Sequence, residues 1–286
     1  MSEIDFKKLK ITIVGLGVIG GSFAKAIKGL EVDKVWAVDI DSYTLEKAKE
    51  LEIIDEGYKD STIPVSESDL IILCVYPKQI TDFITKYKKF FKKGAIITDV
   101  TGIKNGYIDM INPILPEHVD FVFGHPMAGR EKKGIDYASK EVFMGANYLI
   151  TPNKRNKEAN VKFIEAFVKA LGFKRVSRVD VDKHDEIIAY TSQLPHAIAV
   201  SLIDSDEWIP ETDLFIGDSY RELTRIARIN EKLWCELFMG NRNNLINQID
   251  LFQNKLDKLK KCLEDKNEDG LIELFIESSK RREKIT

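Results

Sequence analysis

Short apolar runs separated by stretches with helical periodicity dominate the first 180 residues of the chain. The runs are rich in β-branched residues and apolar throughout, which is typical of parallel strands covered on both faces. The segments between them, such as residues 22–28 and 44–51, are long enough for crossover helices. This alternation predicts an α/β fold built on a doubly wound parallel sheet. The predicted strands cover residues 10–14, 35–38, 70–75, 95–98, 119–123, 148–150 and 174–179.

The pattern changes after this last strand, where helical spacing replaces the strand-like runs. We therefore predict two domains, residues 1–179 and residues 180–286, the second of them entirely helical. Its first helix is expected to be capped by Asp182 and to contain Pro195. Because proline removes one backbone hydrogen bond, we expect a kink beside His196.

A later helix is predicted by apolar positions that are spaced alternately four and three residues apart over nearly three heptads. This spacing fits the seam of a helical dimer, and it fits equally the buried stripe of an ordinary helix. The sequence does not separate the two. A break at residues 265–270 and a final helix at 271–279 follow. The apolar positions are Leu245, Ile249, Phe252, Leu256, Leu259 and Leu263.

Composition and charge exclude several classes of protein. The 286 residues include 43 Lys and Arg against 46 Asp and Glu, so the chain lacks the basic excess of a groove that binds nucleic acid. The longest apolar run, residues 70–76, is far shorter than the ~20 residues that cross a bilayer. Cys74, Cys235 and Cys262 form no CxxC pair, and no HExxH motif suggests a metal. We therefore expect no nucleic acid, membrane or metal partner, and a reducing, cytoplasmic location.

A glycine-rich turn follows the first predicted strand and opens a helix. In this GxGxxG pattern Gly15 permits a tight turn, Gly17 lets a pyrophosphate approach the backbone, and Gly20 allows close packing of helix on strand. Asp39 follows the second strand, where a carboxylate accepts hydrogen bonds from the ribose hydroxyls and repels a 2′-phosphate. The pattern predicts a site for NAD rather than NADP. The cofactor-binding residues expected in the turn are Gly15, Leu16, Gly17, Val18, Ile19 and Gly20.

A second motif, GHPMAG at residues 124–129, follows the strand predicted at 119–123. Ligands bind at the carboxyl ends of parallel strands in open α/β sheets. His125, held between glycine and proline, is poorly explained as a core residue, although a histidine that braces a loop remains an alternative. Removing hydride from an alcohol carbon requires the hydroxyl proton to leave, and an imidazole of pKa about 6.5 is suited to accept it. We therefore predict that His125 is the catalytic base of a dehydrogenase.

These motifs, taken with three others, resemble the prephenate/arogenate dehydrogenase family of tyrosine biosynthesis over almost the whole chain. The resemblance implies a Rossmann domain joined to a helical dimerisation domain, a homodimer, and oxidative decarboxylation of prephenate to 4-hydroxyphenylpyruvate with hydride transfer to NAD. An arogenate dehydrogenase or a dual-specificity cyclohexadienyl dehydrogenase is the near alternative. The motifs, in the family's order, are GLGVIGGS (15–22), DVTGIK (99–104), GHPMAGRE (124–131), SQLPH (192–196) and DSYRELTRIA (218–227), followed by Trp234.

The resemblance implies roles for individual residues near the substrate. His125 would take the proton of the substrate's ring hydroxyl. Arg225 matches the family's carboxylate-binding arginine, whose guanidinium can form a bidentate fork. His196 matches a second active-site histidine that helps to bind substrate. Arg130 and Glu131 are expected at the rim of the substrate site.

Other positions carry weaker or negative expectations. Thr101 and Gly102 are expected beside the cofactor, but many relatives have serine at the position of Gly102, and the missing hydroxyl puts fine positioning in doubt. Trp234 is interpreted as core packing. His118 and His184 lie outside the motifs and are interpreted as a loop residue and a first-turn helix residue.

Two other functions compete with this assignment. One is a different two-domain dehydrogenase that acts on a hydroxy acid or an imine. The other is a protein that senses a nucleotide without turning over a substrate. The presence of His125, His196 and Arg225 together argues against both.

Overall fold

The computed structural model describes residues 5–129 and 132–285. The expectations for Arg130 and Glu131 therefore lie outside the described residues. Within them, no helix combines the length and the apolar character that a membrane span requires.

A mostly parallel sheet of eight strands organises the described part of the first 180 residues. Its strands are β1 (Lys10–Val14), β2 (Lys34–Val38), β3 (Glu56–Tyr58), β4 (Leu70–Leu73), β5 (Ile96–Asp99), β6 (Asp120–Pro126), β7 (Asn147–Thr151) and β8 (Arg175–Arg178). The strand order is β3-β2-β1-β4-β5-β6-β7-β8. The six strands β1 to β6 are parallel, and their order in the sheet is that of the doubly wound dinucleotide-binding fold. The predicted doubly wound sheet is thus confirmed.

The last two strands, β7 and β8, extend this sheet beyond β6 and run antiparallel to the other six. Strand β7 pairs antiparallel with β6, and β8 is parallel to β7. The described residues between β6 and β7 form two short 3-10 turns, Ile135–Tyr137 and Lys140–Phe143, and no crossover helix. A parallel return needs such a crossover, so the chain returns antiparallel. The apolar run of β7 did not reveal this direction, and the three-residue strand β3 was not predicted.

Helices cover both faces of the sheet and create two apolar cores. They are α1 (Val18–Lys28), α2 (Ser42–Glu50), α3 (Thr62–Glu67), α4 (Pro77–Tyr87), α5 (Tyr107–Ile111) and α6 (Glu158–Ala170). Neighbouring residues of β1 point to opposite faces: Ile13 joins the core that contains Phe23, and Val14 joins the core that contains Ile80. Burial on both faces explains why the strand sequences are apolar throughout.

The second half of the chain is helical, as predicted. Its helices are α7 (Val181–Ile188), α8 (Leu194–Asp204), α9 (Asp218–Thr224), α10 (Glu231–Gly240), α11 (Arg242–Glu264) and α12 (Glu268–Arg282). Asp180 caps α7, because its carboxylate accepts from the N–H of Asp182 at 3.0 Å, so the prediction of Asp182 as the cap is wrong. A π-helical turn, Ala189–Gln193, joins α7 to α8 directly before Pro195. The kink expected at this proline is therefore replaced by a π-helical turn in the residues just before it.

The apolar seam predicted at residues 245–263 lies on α11. Leu245 is 5% exposed, whereas Leu256 is 53% and Leu263 57% exposed. Ile249 and Leu259 are half-buried, and Phe252 is 36% exposed. Within one chain, only the first position is fully buried, and Phe252, Leu256 and Leu263 present apolar side chains to solvent.

Candidate active site

The glycine-rich turn between β1 and α1 has the shape that a dinucleotide requires. Gly15 has φ +88°, and a Cβ there would lie 2.6 Å from the carbonyl oxygen of Cys74. A Cβ on Gly20 would lie 1.9 Å from the carbonyl oxygen of Gly15, so helix and turn are in direct contact. A Cβ on Gly17 would meet nothing within 4 Å in the described residues. The backbone at Gly17 is therefore open to an approaching phosphate at the positive end of α1.

Asp39 adjoins this turn at the carboxyl end of β2. Its Oδ2 accepts from the backbone N–H of Leu16 at 2.7 Å, and its Oδ1 accepts from the N–H of Asp41 at 2.9 Å. The half-buried carboxylate is thereby fixed, and each oxygen retains a lone pair for a ribose hydroxyl. The turn and the carboxylate, predicted separately, form one cradle that fits NAD.

A buried lysine joins the ends of β5 and β6. Lys104 is 0% exposed, and its Nζ donates to Oδ2 of Asp99 at 2.7 Å and to the carbonyl of Gly124 at 2.8 Å. It also donates to the carbonyl and the hydroxyl of Thr101, each at 3.0 Å. Asp99 in turn accepts from the N–H of Gly124 at 3.0 Å and from the Thr101 hydroxyl. This cluster fixes the backbone on which His125 stands, and it engages the Thr101 hydroxyl.

His125 is the first member of a hydrogen-bonded chain that ends on a carboxylate. Its Nδ1 lies 3.0 Å from Nε2 of His184, and Nδ1 of His184 lies 2.6 Å from Oδ1 of Asp185. His184 and Asp185 are 1% and 0% exposed. His184 does lie near the start of α7, as interpreted, but its contact with His125 makes it part of the candidate site, which the sequence did not indicate. The available signal was its spacing of four residues from the apolar Ile188, which places both on the inward face of α7.

The surroundings of His125 keep its imidazole neutral. Burial, the neighbouring His184 and the ammonium of Lys104 hold the pKa of His125 well below its ordinary value. Burial also lowers the pKa of His184, although the hydrogen bond to Asp185 opposes this shift. A neutral imidazole has a lone pair available, so His125 is prepared to accept a proton at neutral pH.

Two glycines determine what surrounds the His125 ring. A Cβ on Gly124 would lie 2.1 Å from the hydroxyl of Tyr148, so no other residue fits directly before His125. A Cβ on Gly102 would lie 3.6 Å from Nε2 of His125 and 3.4 Å from Cδ2 of Leu237, which are ordinary contacts. Gly102 therefore faces the Nε2 edge of the ring, and the structure has room there for the serine that many relatives carry.

His196 lies near the start of α8, where Nδ1 donates to the carbonyl of Ser192 at 2.8 Å. Its ring stacks on Trp234 with centroids 3.7 Å apart and an interplanar angle of 29°. Trp234 is half-buried, and its interpretation as core packing is incomplete, because its ring also stacks on His196. Arg225 has an exposed side chain and begins the short turn Arg225–Ala227, which packs against α8. His196 and Arg225 thus belong to adjoining elements of the helical half.

Helix α10 connects this half to the sheet. The side-chain amide of Asn230 donates to the hydroxyl of Tyr76 at 2.9 Å, and the N–H of Lys78 donates to Glu236 at 3.2 Å. Both contacts reach the loop after β4 and the start of α4. The Nε2 edge of His125 therefore faces a site between the two halves of the chain. Among the described residues, no group of three His, Cys, Asp or Glu side chains could hold a metal ion.

Comparison with known proteins agrees with this geometry. Residues 23–177 match the family model of the prephenate dehydrogenase nucleotide-binding domain, and residues 180–277 match that of the prephenate dehydrogenase dimerization domain. A cyclohexadienyl dehydrogenase from Zymomonas mobilis subsp. mobilis is 30% identical over 95% of this chain and 94% of its own length.

Solved structures of similar length have the same fold. A prephenate dehydrogenase from Aquifex aeolicus, in complex with hydroxyphenyl propionate and NAD⁺, matches with a TM-score of 0.87 and 30% identity. The match covers 96% of this chain and 98% of that one. An arogenate dehydrogenase from Synechocystis matches with a TM-score of 0.81 and 25% identity, covering 97% of this chain and all of that one, 100%.

Proposed function

Because this chain belongs to the prephenate dehydrogenase family and is an NAD-dependent oxidoreductase, we propose that its substrate is prephenate. The product would be 4-hydroxyphenylpyruvate, formed by oxidative decarboxylation in tyrosine biosynthesis. The observation that carries this proposal is a neutral His125 at the carboxyl end of β6, with its Nε2 edge facing Gly102. A base at this place suits a substrate that loses a hydroxyl proton as hydride leaves the same carbon.

The reaction assigns a task to each part of the site. NAD⁺, when bound along the glycine-rich turn and Asp39, supplies the hydride acceptor. His125 accepts the ring hydroxyl proton at Nε2. The new ring carbonyl then draws the electrons released by loss of CO₂, and the ring becomes aromatic. Because the overall charge of the chain is −3, local cations must hold this dianionic substrate.

Two cations or donors of the helical half are assigned to the substrate carboxylates. The guanidinium of Arg225 offers a planar fork that matches a carboxylate. The Ser192 carbonyl and the Trp234 ring orient His196. A fixed ring orientation is what a residue that positions the substrate requires. Arg130 and Glu131 remain assigned to the rim, and Thr101 and Gly102 to the cofactor side, by resemblance to the family.

Arogenate, which carries an amino group where prephenate has a keto group, is the second candidate substrate. The relatives include a cyclohexadienyl dehydrogenase and an arogenate dehydrogenase, so the fold serves both substrates. The two substrates share the ring on which His125 acts.

We further propose a homodimer formed through the helical domain. The described parts of α11 and α12 expose a set of large apolar side chains, which in a water-exposed monomer would be unfavourable, and this region matches a dimerization domain. The exposed residues include Leu251, Phe252, Leu256, Leu263, Ile272, Phe275 and Ile276. Analytical ultracentrifugation should give a dimer mass.

The domain boundary and the location complete the proposal. We assign residues 1–179 to the dinucleotide-binding domain and 180–286 to the helical domain, since Asp180 caps α7 and the second family match begins there. The three cysteines are free thiols, which fits a cytoplasmic enzyme.

A direct assay tests the substrate. Purified enzyme is offered prephenate or arogenate with NAD⁺ or NADP⁺, and reduced cofactor is followed by absorbance. We expect turnover of prephenate with NAD⁺. Turnover of arogenate alone would support the second candidate substrate, and oxidation of neither would refute both.

The role of His125 is tested separately. The variant His125→Asn should lower kcat by about 100-fold or more while NAD⁺ affinity is retained. The variant His118→Asn, remote from the site, is the matched control.

A further inference from the structure

A carboxylate fixed entirely by the protein ends the hydrogen-bonded chain that begins at His125. Oδ1 of Asp185 accepts from the N–H of Lys104 at 2.9 Å, and Oδ2 accepts from the N–H of Asn105 at 2.7 Å. The backbone carbonyl of Asp185 accepts from the side chain of Asn241 at 2.8 Å. Both carboxylate oxygens thus accept from backbone N–H groups, and Oδ1 of Asp185 also lies 2.6 Å from Nδ1 of His184.

The position of this carboxylate determines the tautomers of both histidines. A carboxylate only accepts, so Nδ1 of His184 must carry a proton. Burial lowers the pKa of His184, so at neutral pH its other nitrogen, Nε2, has a lone pair. The hydrogen bond of 3.0 Å to that nitrogen must then come from a proton on Nδ1 of His125. Nε2 of His125 is left as the basic atom, on the edge that faces Gly102.

We propose, on the basis of the function proposed above, that His184 and Asp185 are positioning residues that also relieve His125 of the substrate proton. As Nε2 of His125 receives the hydroxyl proton, the proton on its Nδ1 passes to Nε2 of His184. His125 is then neutral again as the opposite tautomer, and His184 is an imidazolium paired with Asp185. The total charge of the relay rises by the one proton taken from the substrate. After product release this proton passes back to His125 and leaves from its Nε2 to solvent.

The charges around the two rings explain why the proton moves on. The charged groups that face the pair in the described residues are Lys104, Asp99 and Asp185, and Asn241, which lies between α10 and α11, adds no charge. Lys104 disfavours a charged ring at both histidines. The hydrogen bond that His184 donates to Asp185 favours the charged ring of His184 and not that of His125. A proton left on His125 would lack that carboxylate contact, so His184 is its better resting place.

The variant His184→Gln separates this relay from a structural role. The glutamine oxygen can still accept from Nδ1 of His125 and keep its tautomer, but the amide does not take a proton. We expect the single-turnover rate to fall by about 10- to 100-fold while KM for substrate stays within about two-fold. The acid limb of the pH profile of kcat/KM should move to lower pH, because a proton must then reside on His125, which lacks the carboxylate contact of His184. His118→Gln, at a histidine whose Nε2 lies 3.2 Å from the Phe91 carbonyl, is the matched control and should change neither.

Other kinetic results would overturn the relay. A wild-type rate in His184→Gln would do so, and so would a lowered rate with an unmoved acid limb, because the latter indicates positioning alone.

A measurement without turnover keeps the inference testable if the variant does not fold or the substrate assignment fails. Long-range ¹H–¹⁵N NMR of histidine-labelled enzyme with NAD⁺ bound reads each ring's tautomer. We expect both His125 and His184 to carry Nδ1–H at neutral pH, and His184 to protonate first as the pH falls. An Nε2–H tautomer on either ring at neutral pH, or earlier protonation of His125, would refute the relay whatever the substrate. Failure to oxidise prephenate and arogenate, with the expected NMR pattern, would refute only the proposed function.

Discussion

Replacing Lys104 with methionine removes the positive member of a wholly buried ion pair. The ammonium of Lys104 lies 2.7 Å from Oδ2 of Asp99, and both side chains are 0% exposed. Methionine retains most of the apolar stem, so the packing loss is small. The carboxylate of Asp99 keeps only its hydrogen bonds from Gly124 and Thr101. Removing one partner of a buried pair costs about 3–5 kcal/mol, because the remaining charge is uncompensated.

This cost is large enough to measure by thermal and urea unfolding. At about 2–4 °C per kcal/mol for domains of this size, Tm should fall by about 6–20 °C. The matched control is Lys86→Met, since the Lys86 side chain is 67% exposed and only 3.8 Å from Asp60 in a surface pair. Its free energy of unfolding should change by less than about 0.5 kcal/mol.

The substitution Lys104→Met should also shift the acid limb of the pH profile of kcat/KM. Lys104 helps to hold the pKa of His125 and of His184 below the ordinary value. Without its charge both pKa values rise, so the acid limb of kcat/KM should move to higher pH. This direction is opposite to the one expected for His184→Gln.

The double variant Asp99→Asn with Lys104→Met completes the test. It removes both charges, so it should be more stable than Lys104→Met alone. The reasoning would be refuted if Lys104→Met unfolded within about 1 kcal/mol of the wild type. If that variant does not fold, a double variant that also fails to fold would contradict the assignment of the cost to an uncompensated charge.

Three further predictions follow from the site. The pKa of His125 and of His184 in the folded protein lies below about 6.5, so the unfolded chain binds more protons as the pH falls below that value. The free energy of unfolding should therefore decrease by up to ~1.4 kcal/mol per pH unit for each histidine. Urea midpoints measured across this range should fall less steeply in His184→Gln, and equal slopes would contradict the assignment. Gly20→Ala should lower Tm and NAD⁺ affinity because its Cβ would lie 1.9 Å from a carbonyl oxygen, whereas Gly17→Ala should retain Tm and lose only NAD⁺ affinity by calorimetric titration; an equal loss of Tm in both would be inconsistent with the open space at Gly17. Arg225→Ala should raise KM for substrate more than it lowers kcat in steady-state assays, and an unchanged KM would remove Arg225 from the substrate site.

The sequence determined the parallel core of the fold and the cofactor cradle. Apolar runs identify strands that are buried on both faces, because the hydrophobic effect acts on each residue whatever its distant partner. The glycine pattern likewise encodes a local backbone shape, and the structure has Gly15 at a positive φ, open space at Gly17 and close contact of Gly20 with the turn. His125 was found for a similar reason, because its motif and the preceding strand are contiguous in the chain.

Only the tertiary structure decided which side chains meet across the fold. Periodicity shows that His184 faces inward on α7, but it does not show that the inward neighbour, 59 residues away in sequence, is His125. A lysine is ordinarily expected at the surface, yet Lys104 is buried because Asp99 and three other oxygens surround its ammonium. The antiparallel direction of β7 depends on the path of the preceding connection. Such contacts are set by the packing of whole elements, and a local pattern carries no information about partners that distant packing supplies.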